Sequence, residues 1–151
     1  MSNANEPLGR LVAWTIDDSE FDLKLNQRIL TRSGAFAHIE GFHSAQAALE
    51  ALRDAAEFPH VIFLDVMMPL MNGFDFLSMA TEEFGSRFTS RVVIMLTSSM
   101  NPADRTRAEG FDAVHGFLSK PLTVDDSHKT ASQAADIMNL DHPNETRATH
   151  Q

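Results

Sequence analysis

The chain has 151 residues, 43% hydrophobic and 22% charged, with a formal net charge of −9, which suits one globular domain and excludes wholesale disorder. No apolar run approaches the ~18 residues of a membrane span, the start lacks the basic-then-apolar pattern of a secretory signal, and without cysteine there are no disulfides, thiolate zinc sites or thiol nucleophiles. Twelve Lys+Arg against 21 Asp+Glu argue against binding nucleic acid through its phosphates.

Residues 1–8 are polar, contain Pro7 and read as a loose arm. Leu11–Ile16 is a short apolar run and predicts a buried strand, interrupted by Asp17-Asp18-Ser19. Phe21, Leu25 and Ile29 recur every four residues and predict the inward stripe of a helix that continues to Leu30 and stops at Ser33-Gly34. Ala37–Phe42 is a weaker strand. Ser44 caps a helix over 45–56 whose Ala48, Leu49 and Leu52 face inward.

Beyond Pro59, Val61–Leu64 is a continuous apolar strand ending at Asp65. Gly73 opens a helix with Phe74, Leu77, Thr81 and Phe84 in register. Val92–Leu96 is the next buried strand and ends at Thr97. Pro102 suits the first turn of a helix running to Glu109-Gly110. Val114–Ser119 is the last strand and stops at Lys120-Pro121. Thr123 with Asp126 three residues on marks the start of a final helix reaching about Leu140. Asp141–Gln151 reads as a frayed tail.

Strand and helix thus alternate five times over one domain, residues 9–140. Continuous apolar strands in such an alternation mean a doubly wound, five-stranded parallel sheet with helices on both faces. The order of strands within the sheet does not follow from the alternation.

The conspicuous polar residues stand at strand ends: Asp17 and Asp18 after the first, Asp65 at the third, Thr97 at the fourth and Lys120 at the fifth. In a doubly wound sheet these ends share one edge, where ligand crevices form. Converging carboxylates repel one another, and a divalent cation relieves that repulsion. Oxygen ligands without His or Cys suit Mg²⁺, with Mn²⁺ as a substitute. A carboxylate can also act as a nucleophile and form an acyl phosphate, while Lys120 and Thr97 neutralise or hydrogen-bond the phosphoryl oxygens. The seven histidines are scattered without helical metal spacing and read as structural or solvent-facing.

The stretches WTIDDSE (14–20), FLDVMMPLMNGFDFL (63–77), VVIMLTSS (92–99) and GFLSKPL (116–122), in this order, resemble the receiver domain of two-component response regulators. The stretch 98–107 resembles stand-alone, CheY-like receivers, including those associated with phytochrome-type kinases. The resemblance implies a flavodoxin-like fold with strand order 2-1-3-4-5 and five helices. It implies that Asp65 accepts the phosphoryl group and that Asp17, Asp18, Asp65 and the Met67 backbone carbonyl hold Mg²⁺, Asp18 more directly than Asp17. Lys120 would contact the phosphoryl group, and its peptide bond to Pro121 would be cis. Thr97 and Phe117 would form the switch, and Pro69 and Gly73 would shape the loop after the acceptor.

The function so implied is that of a single-domain, cytoplasmic response regulator with no output domain, monomeric or dimerising on phosphorylation. It would take phosphate from a sensor histidine kinase or a histidine phosphotransfer protein. It would signal to another protein through its fourth helix, fifth strand and fifth helix. A relay shuttle passing the phosphate on to another histidine is the alternative within signalling. An aspartyl phosphohydrolase is disfavoured, because Met67 stands where such enzymes commonly carry a second acid. Met67 also cannot orient a water, which implies a long-lived phosphoryl state.

Overall fold

The computed structural model describes residues 11–139, so the expected arm over 1–8 and tail over 141–151 lie outside the described residues. The elements are β1 (Val12–Ile16), α1 (Glu20–Ser33), β2 (His38–Phe42), α2 (Ala45–Asp54), β3 (Val61–Asp65), α3 (Gly73–Phe84), α4 (Ser86–Thr89), β4 (Val92–Thr97), α5 (Pro102–Ala108), β5 (Val114–Ser119) and α6 (Val124–Ile137). All strand pairings are parallel, and the sheet order is β2-β1-β3-β4-β5.

Successive strand residues point to opposite faces, and this divides the core in two. Ile62 and Leu64 of β3 pack with Trp14, Leu49, Phe76 and Met95 beneath α2 and α3. Val61 and Phe63 pack with Leu30, Leu96, Ala131 and Ala134 beneath α1 and α6. Both faces being covered, β3 and β4 are buried along their whole length. This is why their sequences are continuous rather than alternating apolar runs.

Local chemistry sets the helix ends. Ser44 accepts the Ala47 N–H (3.0 Å) at the start of α2, and Pro102 occupies the first turn of α5. Gly34 closes α1 with φ 68°, a left-handed conformation that costs glycine little, and donates to the Thr31 carbonyl. Val12 N–H donates to His60 Nδ1 at 3.0 Å, so that histidine fastens the start of β1. Among the described residues, no helix is long and apolar enough to cross a membrane.

Two expectations are corrected. The helices number six among the described residues, because a single turn, α4, follows α3. Phe88 of that turn is fully buried, edge-on to Phe76 with centroids 5.8 Å apart, so one anchoring ring holds a segment too short to show periodicity. The inward stripe of α1 also differs. Phe21 is 74% exposed, and the buried residues are Leu23, Asn26, Leu30 and Ser33. Two of these are polar. Asn26 Nδ2 donates to the Thr15 hydroxyl at 3.4 Å and Ser33 Oγ to the Leu30 carbonyl at 2.6 Å. Satisfied polar groups therefore take positions that the apolar count assigned to Phe21 and Leu25.

Candidate functional site: an acidic pocket around one lysine

The chain reverses its direction of winding between β1 and β3, and the crevice at their C-terminal ends is the place such sheets keep for ligands. Asp17 follows β1 directly, its N–H donating to the Phe42 carbonyl of β2 at 3.0 Å. Asp65 is the last residue of β3 and lies opposite Leu96. Thr97 ends β4 opposite Ser119, and the next residue, Lys120, donates its N–H to the Thr97 carbonyl at 2.8 Å. Sheet register alone therefore brings the four strand ends together.

Asp17, Asp18 and Asp65 each offer a carboxylate oxygen within 4.8 Å of the others. Asp17 and Asp65 are buried, and Asp18 is exposed. Lys120 Nζ lies 2.8 Å from Asp17 Oδ2 and 3.1 Å from Asp65 Oδ1. The other oxygen of Asp17 accepts the Ser19 N–H at 3.0 Å. The more buried aspartate is thus occupied on both oxygens, and the exposed one faces solvent.

Crowding shows in the proton affinities. Burial, followed by the Asp17 charge, pushes the Asp65 carboxyl up to about 6 against the pull of Lys120. Burial also raises Asp17, opposed by the hydrogen bonds from Lys120 and from the Ser19 N–H. Burial disfavours the Lys120 ammonium, but hydrogen bonds to Asp17 and Asp22 and the field of Asp65 prevail and raise it above the ordinary lysine range. Carboxylates in excess over a single ammonium, all hard oxygen donors, fit a divalent cation of the Mg²⁺ type.

The remaining expected residues are placed as follows. The Lys120–Pro121 peptide bond is cis. The Thr97 hydroxyl donates to the Ser99 carbonyl (2.9 Å) and accepts the Ser99 N–H (3.1 Å), so it is engaged by its own turn. Phe117 is buried on β5, with the Arg105 guanidinium of α5 6.0 Å from its ring centroid. The side chain of Met67 is exposed. In the loop after Asp65, the Pro69 carbonyl accepts the Met71 N–H at 2.7 Å around Leu70, whose φ is 69°. The sequence reading missed Asp22 on the first turn of α1. Its carboxylate lies 3.0 Å from Lys120 Nζ. The available signal was its place three residues after the cap Ser19, where a first-turn aspartate stands beside the strand-end crevice.

Gly73 is held by close approach. A Cβ there would lie 2.6 Å from the Asp65 carbonyl oxygen and 3.2 Å from the Val66 Cα. Backbone cannot swing aside as a side-chain tip can. Gly73→Ala is therefore expected to lower stability by about 1–3 kcal/mol, read as a lower urea midpoint with unchanged slope. It is also expected to displace Asp65.

A family model described as the response regulator receiver domain matches residues 14–132. Protein PilG of Pseudomonas aeruginosa is 30% identical over 120 residues, which span 77% of this chain and 81% of that protein. The probable methanogenesis regulatory protein FilR2 of Methanothrix harundinacea is 28% identical over 122 residues, spanning 78% and 77%. Among solved structures, a two component response regulator from Cytophaga hutchinsonii is similar with a TM-score of 0.80 at 26% identity, covering 87% of this chain and 99% of its own.

Proposed function

Because the chain belongs to the response regulator receiver family, we propose that it is a phosphorylation-dependent switch whose acceptor is Asp65. The observation that carries this reading is the convergence of Asp17, Asp18, Asp65 and Lys120, with Nζ 3.1 Å from an oxygen of the proposed acceptor. The donor is a phosphohistidine of a sensor kinase or phosphotransfer protein. An Asp65 oxygen bonds to phosphorus as the phosphorus–nitrogen bond breaks, and the imidazole leaves with its electron pair.

Asp17, Asp18, Asp65 and the Met67 carbonyl would hold Mg²⁺, which when bound supplies positive charge against the carboxylates and the phosphoryl oxygens. Lys120 neutralises part of the same charge from the β5 side. Thr97 leaves its turn with Ser99 and donates to a phosphoryl oxygen. Phe117, beneath Arg105, carries the rearrangement to the surface of α5, β5 and α6, where a partner protein in the cytoplasm reads it. Met67 offers no acid or base for hydrolytic turnover, which favours one phosphoryl group per chain over steady hydrolysis.

Incubation with a small phosphodonor and Mg²⁺ is expected to add one phosphoryl group of roughly 80 Da by mass spectrometry. Asp65→Asn is expected to abolish the adduct. No adduct under any metal condition would overturn the mechanism, and an adduct surviving in Asp65→Asn would overturn the site.

A further inference from the structure

We propose that Asp22 is a positioning residue for this phosphoryl transfer, anchoring the Lys120 ammonium in the direction from which it meets the incoming group. The inference rests on the reading of Asp65 as acceptor.

Four helices open with the same pattern, a capping residue with aspartate three positions later: Ser19 and Asp22 in α1, Asn72 and Asp75 in α3, Asn101 and Asp104 in α5, Thr123 and Asp126 in α6. In α3 and α6 the exchange is reciprocal. The Asn72 N–H donates to Asp75 Oδ2 at 3.0 Å, and the Thr123 N–H to Asp126 Oδ2 at 3.1 Å. In α1 only half of it forms. Ser19 Oγ accepts the Asp22 N–H at 3.2 Å, but the Ser19 N–H goes to Asp17 Oδ1 at 3.0 Å. The Asp22 carboxylate, relieved of capping, reaches Lys120 across 98 residues of sequence at 3.0 Å. In α5, Asn101 Oδ1 accepts the Ala103 N–H at 2.9 Å and Asp104 closes no reciprocal box, so what sets Asp22 apart is its bond to Lys120.

The lysine explains what the carboxylate does there. An ammonium has three N–H donors, and Lys120 has three carboxylate partners, Asp17, Asp22 and Asp65, at 2.8, 3.0 and 3.1 Å. Asp17 follows β1, and Asp22 stands in the first turn of α1. With those two accepting hydrogen bonds from Nζ, the ammonium is held 3.1 Å from Asp65 Oδ1, at ion-pair distance and within reach of a phosphoryl oxygen bound there. Without Asp22, a four-carbon stem with one such anchor regains rotamer freedom and loses that aim.

The test measures phosphorylation of the full chain by acetyl phosphate at saturating Mg²⁺. Asp22→Ala is expected to slow it about tenfold, and Asp22→Asn, which keeps an oxygen near Nζ, to recover most of the rate. In a Lys120→Met background, adding Asp22→Ala is expected to change the rate by less than about twofold.

A second readout is independent of phosphorylation. Of the three lysines in the sequence, Lys24 and Lys129 have side chains 72% and 76% exposed, against 13% for Lys120. Lys120 is therefore expected to give a slowly exchanging ammonium signal by nitrogen-15 NMR, lost in Asp22→Ala and retained in Asp22→Asn. Equal slowing by Asp22→Ala with and without Lys120, or an unaltered ammonium signal, would overturn the inference. Absence of any adduct on the wild-type chain would overturn the acceptor reading instead.

Discussion

Asp65→Asn is expected to raise the thermal midpoint of the metal-free protein at neutral pH, with a gain that fades as the solution is acidified. Burial and the Asp17 charge put the Asp65 carboxyl at about 6 in the folded chain, against an ordinary 3.8. At pH values below 3.8 the group is protonated whether the chain is folded or not, and it contributes nothing. Between 3.8 and 6 the unfolded chain releases the proton first, so ionisation increasingly favours unfolding. Above about 6 the folded state carries the full cost of a buried carboxylate, on the order of 2–3 kcal/mol at 1.36 kcal/mol per unit. Asparagine removes that cost in nearly the same shape.

The expected rise is roughly 5–10 °C by differential scanning calorimetry in chelator. It shrinks steadily from about pH 6 to pH 4. Mg²⁺ shrinks it too, since a cation that binds the folded wild type stabilises that protein and not the variant. A gain that is flat across pH, or a loss at neutral pH, would contradict the assignment of strain to the ionised Asp65 carboxylate.

The centre of the site was legible in the sequence for a topological reason. Asp17, Asp65 and Thr97 each stand where a buried, largely apolar strand stops, Lys120 follows the half-buried β5, and a parallel sheet aligns all such stops on one edge. After β1, β3 and β4 a polar residue at that place is conspicuous because the strand before it is buried on both faces. The same logic recovered the strands, the Ser44 cap, the Pro102 start and the Thr123–Asp126 box, all of which depend on chemistry within a few residues.

What escaped depends on contacts far apart in sequence. Phe21 fits a helical stripe by spacing, yet α1 turns Leu23, Asn26 and Leu30 to the sheet and leaves Phe21 74% exposed. Choosing between those faces requires knowing that the Thr15 hydroxyl waits for Asn26. The turn α4 depends on Phe88 meeting Phe76. Asp22 reads as a favourable charge in a first helical turn, and only the fold brings Lys120 to it. In each case local propensity was intact and a tertiary partner decided the outcome.

Lys120→Met is expected to be the most damaging single change at the site, and its pattern of rescue separates charge from packing. Methionine keeps most of the apolar stem, so the substitution mainly removes the ammonium. The lysine side chain is 13% exposed and its partners Asp17 and Asp65 are 1% and 6% exposed, so water cannot take over its role. Leaving buried carboxylates without their counter-charge costs about 3–5 kcal/mol, a fall of roughly 10–15 °C in the metal-free protein at neutral pH. Without Lys120 the carboxyl groups of Asp17 and Asp65 rise further, because the ammonium was what held them down. Their protonation on acidification then removes the uncompensated charge, so wild type and variant converge as pH falls. Millimolar Mg²⁺ restores stability by the same electrostatic route, placing a cation among carboxylates that have lost one. Calorimetry across pH, with and without Mg²⁺, checks both arms. A loss unaffected by acid or by metal would assign Lys120 to packing and would remove the charge balance from which the site's chemistry follows.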